Sequence, residues 1–282
     1  MAAITTNDAA YPWRPDTEFF PAADVVPTAL VMQCSTIGGE VNGDAPSLRV
    51  GYVNDDAASF TAEGVAPADS EPELSEVTVY TAKIQQNVEM SNEQFSQEQT
   101  AGQLAQSVSR ALVKRADQAF IAQAAPVGPA VAPPAGLLNI AGTVTGGTVS
   151  GSLDELVDLL AELEDNGATP SHILVGPYAW ASLRKLKTAT DSNQSLVGAG
   201  VTDAARMLLS LPILVNRHVT PGTGLVVDSS ALVSAVGPVN IATSEHAAFR
   251  SDSTVIRATW RIGWNAVRPE RIGKFAIAGS GS

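Results

Sequence analysis

Val255-Ile256-Arg257-Ala258-Thr259-Trp260-Arg261-Ile262-Gly263-Trp264-Asn265-Ala266-Val267 reads as one long β-strand. Ile256, Ala258, Trp260, Ile262, Trp264 and Ala266 fall on one face, and Arg257, Thr259, Arg261, Gly263 and Asn265 on the other. Such alternation follows from an extended backbone, which points successive side chains to opposite sides. At ~3.3 Å per residue the run spans about 40 Å, and Pro269 ends it. A strand with one apolar face of that length needs a partner equally long.

A partner lies upstream. Ser96-Gln97-Glu98-Gln99 fits a capping box, in which two side chains satisfy the free amides at a helix start. Ala101, Leu104, Ala105, Val108, Ala111, Leu112, Ala116 and Ala119 then recur at helical spacing, and the pattern stops before Pro126. This predicts a helix over 97–123, again about 40 Å long at 1.5 Å per residue. Arg110, Lys114 and Arg115 fall on its other side. The economical arrangement lays the helix's apolar stripe along the Ile/Trp face of the strand, giving an elongated two-layer unit.

Outside this pair the chain divides by composition. Residues 1–45 read as an arm, because Pro12, Pro15, Pro21 and Pro27 disfavour helix and sheet and the apolar residues Tyr11, Trp13, Phe19 and Phe20 keep no period. Residues 46–83 read as a long hairpin, with strand alternation at 48–53 and 77–80 around the acidic stretch 54–76. Residues 84–135 hold the long helix and a Pro/Ala linker. Residues 136–240 alternate helices and strands. A second capping box, Ser152-Leu153-Asp154-Glu155, opens a helix with Leu153, Leu156, Val157, Leu160 and Leu163 on one face. A strand at 172–175, a helix begun by Pro177 and carrying Arg184, Lys185 and Lys187 in its last turn, a short helix over 203–209, and strands at 213–215, 225–227 and 231–236 complete a small sheet. Residues 241–282 hold the long strand and a C-terminal return. The class expected is α+β.

The chain has 282 residues and a net charge of −12. Residues 1–100 carry −13 and the remainder +1, so the acidity lies in the first third. A net acidic balance argues against sequence-reading nucleic-acid recognition, which needs a basic footprint. No apolar run is long enough for a membrane span, and residues 1–10 do not have the form of a secretory signal. Cys34, the one cysteine, excludes an internal disulfide and reads as a small buried hydrophobe.

Catalytic signatures are missing. His172, His218 and His246 lack metal-ligand spacing, and no Gly-x-Ser-x-Gly elbow or Gly-Lys-[Ser/Thr] phosphate loop occurs. Pro221-Gly222-Thr223-Gly224 precedes a strand and reads as a turn. Asp154, Glu155, Asp158, Glu162, Glu164 and Asp165 read as the solvated face of a helix, and Trp260 and Trp264 as core. No catalytic residue, cofactor or metal site is expected.

The order of arm, long hairpin, single long helix, α/β unit and final long strand resembles the Hong Kong 97-type fold of tailed-phage major capsid proteins. Local stretches carry the same likeness: Pro134-Ala135-Gly136-Leu137-Leu138-Asn139 after the helix, Pro170-Ser171-His172-Ile173-Leu174-Val175-Gly176-Pro177 with Leu183-Arg184-Lys185-Leu186-Lys187, Leu211-Pro212-Ile213-Leu214-Val215, and Phe249-Arg250-Ser251-Asp252 through Arg268-Pro269-Glu270-Arg271. The resemblance implies a virion shell subunit, assembled in the bacterial host cytoplasm into hexamers and pentamers around double-stranded DNA. The hairpin would be the extended loop lying over a neighbour, the long helix (the spine) and final strand the peripheral domain, and 136–240 the axial domain. It also implies a portal, decoration proteins and a separate scaffolding protein as possible partners, contact with packaged DNA that is non-specific, and no membrane. Some relatives weld their shells by a lysine-to-asparagine isopeptide bond. Residues 46–76 contain no lysine and 249–253 no asparagine, so contacts without that bond are expected. An encapsulin-type nanocompartment shell is the alternative, and an uncharacterised hydrolase a remote one.

The acidic hairpin loop is expected to meet cations of an adjacent copy. Asp55, Asp56, Glu63, Asp69, Glu71 and Glu73 would face Arg110, Lys114 and Arg115 of the helix, or Arg257, Arg261, Arg268 and Arg271 of the final strand and the turn after it.

Overall fold

The computed structural model describes residues 17–20, 22–54, 73–95, 100–187, 195–197 and 206–279. Its strands are β1 (Thr17–Phe20), β2 (Thr36–Glu40), β3 (Ser47–Asn54), β4 (Glu73–Ser91), β5 (Val144–Val149), β6 (His172–Val175), β7 (Met207–Leu208), β8 (Leu211–Val215), β9 (Thr223–Val227), β10 (Leu232–Ala248), β11 (Ser253–Ala266) and β12 (Gly273–Ile277). Its helices are α1 (Ala22–Val25), α2 (Leu30–Cys34), α3 (Asn92–Phe95), α4 (Thr100–Ala122), α5 (Asp154–Asp165) and α6 (Pro177–Arg184). Two six-stranded sheets result. The larger runs β1-β10-β11-β4-β3, with β2 parallel to β10, and the smaller runs β5-β12-β9-β6-β8-β7.

The long strand and long helix meet as their patterns require. Ala258, Trp260, Ile262 and Trp264 of β11 share one core with Val108, Leu112, Ala116, Ala119 and Phe120 of α4. Phe120 stands edge-on to Trp264, with ring centroids 5.3 Å apart and planes at 81°, a favoured aromatic geometry. The stretch 134–139 closes the end of α4. Asn139 Nδ2 donates to the carbonyls of Ala122 and Gln123, and the Gly136 amide donates to Gln123. These are helix-end carbonyls that would otherwise lack donors. A Cβ on Gly136 would lie 2.6 Å from the Gln123 nitrogen, so only glycine permits that approach. The capping box at 96–99 lies outside the described residues.

Several expectations fail over the described residues. Residues 17–40, expected to lie extended, form β1, α1, α2 and β2. Pro27 separates two short helices rather than preventing them, and Val26, Ala29, Leu30, Val31 and Cys34 enter the main core. Tertiary burial outweighs the weak local signal. The short helix expected at 203–209 is, over its described part, the strand β7. Leu209 and Ser210, both at positive φ, form the two-residue turn to β8. The strand at 231–236 does not close the small sheet. It is the start of β10, which pairs antiparallel with β11. Gly237-Pro238 looks like a strand end, but the chain bulges there: Val236 pairs with Ile262 and Val239 with Trp260. A bulge is where a strand tolerates proline. The Trp260 indole donates to the Gly237 carbonyl at 3.0 Å, satisfying an acceptor within the bulge.

The smaller sheet is closed by β12, which pairs parallel with β5 and antiparallel with β9. Leu156, Leu159 and Leu163 of α5 pack into its core with Phe275, while Val157 is exposed. The second capping box does not form as a pair: the Ser152 hydroxyl donates to Asp154 Oδ2 and accepts from the Asp154 amide at 3.5 Å, not from the Glu155 amide that the box requires. Of the three cations assigned to the last turn of α6, only Arg184 lies in it.

One polar group ties three parts together. Asp117, on α4, is 7% exposed. Its Oδ1 accepts from the Leu30 amide at the start of α2, and its Oδ2 from Asn216 Nδ2 in the turn after β8. Burial raises its carboxyl above the ordinary range, opposed by these two hydrogen bonds. Cys34 lies in the same core, and burial, then the Asp117 charge, push its thiol up to about 12.

Four outcomes follow for the unassembled chain. Trp260→Ala costs about 3–5 kcal/mol in denaturant unfolding. Asp117→Ala leaves two donors without acceptors, at about 1–3 kcal/mol each. Because the folded carboxyl holds its proton more tightly than the unfolded one, Asp117's linkage contribution is full below the ordinary carboxylate range and falls as pH rises through the folded value. The gap between wild type and Asp117→Ala therefore narrows from acid to neutral pH. Cys34 resists iodoacetamide at mildly alkaline pH until the chain unfolds, as mass spectrometry reads; rapid labelling of folded protein would contradict its burial.

Candidate subunit-contact surfaces

The larger sheet carries a projecting ribbon. β11 pairs with β4 only over Thr81–Ser91, whereas β3 pairs with Glu73–Tyr80. The outer half of β4 and all of β3 thus extend beyond the sheet as two strands. At the base, Leu48 and Val50 pack with Val41, Val79, Val233 and Ala235. At the tip, Val53 pairs with Leu74, and they are 44% and 85% exposed. Arg49 and Glu76 form an exposed ion pair at 3.5 Å on the same face. Asp55, Asp56, Glu63, Asp69 and Glu71 lie outside the described residues. Glu73 opens β4 opposite Asn54.

The expected cations occupy different places. Arg110, Lys114 and Arg115 lie exposed on α4, away from the strand it covers. The Arg115 guanidinium reaches Gln118 and Gln123 at 3.4 Å. Arg257 and Arg261 project from the opposite face of β11, as its alternation demands. Arg257 is exposed, but Arg261 is held within its own chain by Thr81 Oγ1 at 3.0 Å and by Asp44 at 3.4 Å. Arg271 donates from Nε to the Asn166 carbonyl at the end of α5, where the helix dipole favours a cation. Arg268 is half-buried. The structure therefore separates the helix cations from the strand cations, and it engages Arg261 and Arg271 in the subunit's own architecture.

Two features escaped the sequence reading. Leu74 is an apolar residue in the polar register of its strand, out of phase with Val77 and Val79, and that parity was legible. The other is a cleft of about 450 Å³ where Arg110, Lys114 and Asp117 of α4 meet Asn216, Arg217 and His218. No spacing in the sequence announces it, since the two groups are about a hundred residues apart. His218 is driven down by burial and then by Arg217 and Lys114, and His172 by burial. Among the described residues no group of His, Cys, Asp and Glu could hold a metal ion.

A model of the phage capsid family matches residues 26–277. Among solved structures, the capsid of an empty GTA particle aligns over 99% of this chain and 96% of its own, with TM-score 0.67 at 15% identity. A structure from Mycobacterium phage Ogopogo aligns over 98% and 100%, with TM-score 0.62 at 16% identity. One from Gordonia phage Cozz aligns over 98% and 92%, with TM-score 0.60 at 17% identity. At such identities the likeness is one of fold. No curated protein sequence matches the chain. The family match favours neither the nanocompartment nor the hydrolase alternative. Matched over most of its length and carrying the Hong Kong 97-type α+β fold of these shells, the chain belongs to the phage capsid family and is a major capsid protein, a structural subunit and not an enzyme.

Proposed function

We propose that this subunit forms the hexamers and pentamers of an icosahedral tailed-phage shell enclosing double-stranded DNA, assembled in the host cytoplasm. In this reading residues 1–45 are the arm, 46–83 the extended loop, 84–135 and 241–282 the peripheral domain and C-terminal return, and 136–240 the axial domain. A separate scaffolding protein, a portal and decoration proteins are its expected partners, and packaged DNA touches it without sequence preference.

The ribbon carries this reading. Two strands alone are marginal in water, and this pair ends in an exposed Val53–Leu74 patch. Residues 46–76 carry a charge of −6, and Arg49, their one basic residue, already pairs with Glu76. Such an element gains by lying on a neighbouring copy, with the apolar tip buried and the acids facing cations. Of the candidates, Arg115 and Arg257 are exposed on opposite faces. One ribbon therefore meets the helix cations of one neighbour or the strand cations of another, not both. Exposed pairs are worth only ~0–1 kcal/mol each, so the charges set register and partner choice while the tip supplies burial. With no lysine in 46–76, the contact does not use a lysine isopeptide bond from this loop.

Reversing Asp55, Asp56, Glu71 and Glu73 to lysine is expected to abolish shells in low salt under negative-stain microscopy. Leu74→Ser is expected to weaken assembly at every salt concentration, with circular dichroism and Tm of the unassembled chain unchanged. Normal shells from both variants would sink the proposal.

A further inference from the structure

We propose that the cleft between α4 and the turn after β8 is an oxyanion site that takes a phosphate group. This goes beyond the ribbon contact and does not rest on it.

The site is assembled by a polar tie. Lys114 follows Arg110 by one helical turn on α4, so both side chains point the same way. Asn216 donates from Nδ2 to Asp117 Oδ2 at 2.7 Å, and its Oδ1 accepts from the His218 amide at 2.9 Å. The turn is thereby pinned against α4, and Arg217 and His218 are brought to the same cleft. Three formal cations and an imidazole line it, with Pro177, the first residue of α6, at its side. Among the described residues lining the cleft, the one carboxylate is Asp117, and both its oxygens are already engaged.

His218 belongs to the same lining, and burial, then the charges of Arg217 and Lys114, favour its neutral form. At about 450 Å³ the cleft has room for an oxyanion with several waters, each of about 30 Å³. Arg110, Lys114 and Arg217 repel one another and His218 when no anion is present. A phosphate group would relieve that repulsion and take charge-assisted bonds from the guanidinium and ammonium groups. The phosphate is either free inorganic phosphate or a unit of a nucleic-acid backbone, the polyphosphate that a genome-enclosing shell would meet.

The charged groups facing His218 are Arg217 on its own turn and Arg110, Lys114 and Asp117 on α4. Anion binding offsets the cations among them, so phosphate should raise the pKa of His218 and bind more tightly as pH falls through the histidine range.

The test uses the full-length unassembled chain. Sodium phosphate is titrated against sodium chloride at matched ionic strength, following the His218 ring by NMR and affinity by calorimetry. A second arm titrates a short labelled DNA duplex by fluorescence anisotropy. Phosphate should shift the His218 titration upward in wild type. Lys114→Ala and Arg217→Ala, both at exposed positions, should each lower phosphate affinity roughly tenfold, while Arg257→Ala leaves it unchanged. Binding of both probes, lost together in Arg217→Ala, identifies backbone phosphate as the ligand; binding of inorganic phosphate alone identifies the free anion. The site is overturned if His218 does not respond to phosphate, if Arg217→Ala binds as wild type does, or if a peptide of residues 55–72 binds where phosphate does not. That last result would assign the cleft to a neighbouring copy.

Discussion

The structure depends on the burial of one strand face under one helix. Trp260 and Trp264 of β11 present large aromatic surfaces that solvent would tolerate poorly, and α4 covers them with Leu112, Ala116, Ala119 and Phe120. The small residues among these let the helix sit close, while Phe120 fills the remaining space against the edge of Trp264. Around this contact β10 and β4 flank β11 along its length, so the larger sheet is organised by its central strand. The bulge at Gly237-Pro238 belongs to the same arrangement, because the Trp260 indole is both core aromatic and donor to the bulged backbone.

The second constraint is polar. A carboxylate buried mid-helix is costly unless its oxygens are engaged, and Asp117 engages both. Its partners come from α2 and from the turn after β8, elements that share no strand with it. Hydrophobic burial brings these parts near one another without regard to direction. The directed hydrogen bonds that Asp117 accepts then fix how the N-terminal segment and the smaller sheet sit on the spine. The cleft with its three cations is a by-product of that fixing, since Arg217 and His218 stand beside Asn216.

What remains outside these constraints faces outward. The ribbon of β3 and outer β4 has a packed base and an exposed tip, an arrangement suited to a second surface. The cations available to such a surface are fewer than the sequence offers, because Arg261 and Arg271 already bind within the chain. Charge in this subunit therefore has two uses that composition alone does not separate: bracing its own elements, and presenting an outer face to others.

The period-2 run from Val255 and the helical stripe from Ala101 were legible because each periodicity follows from backbone geometry within its own element. Length was legible too, so the match of strand to helix could be read from residue counts. The second capping box was misread, since Ser152 turns to Asp154, and so were the helices of residues 22–34, whose burial depends on distant partners. The bulge hid β10, because local punctuation at Gly237-Pro238 looks identical whether a strand stops or bends. The sequence by itself determined the long strand, the long helix, the face each buries and the acidic bias of the hairpin, all consequences of local periodicity and composition. Only the tertiary structure decided which sheet β10 joins, that Asp117 sews three segments together, which arginines stay free, and that Lys114 and His218 share a cleft. Those outcomes depend on residues far apart in sequence being brought within a few ångströms, and no spacing along one chain encodes that distance.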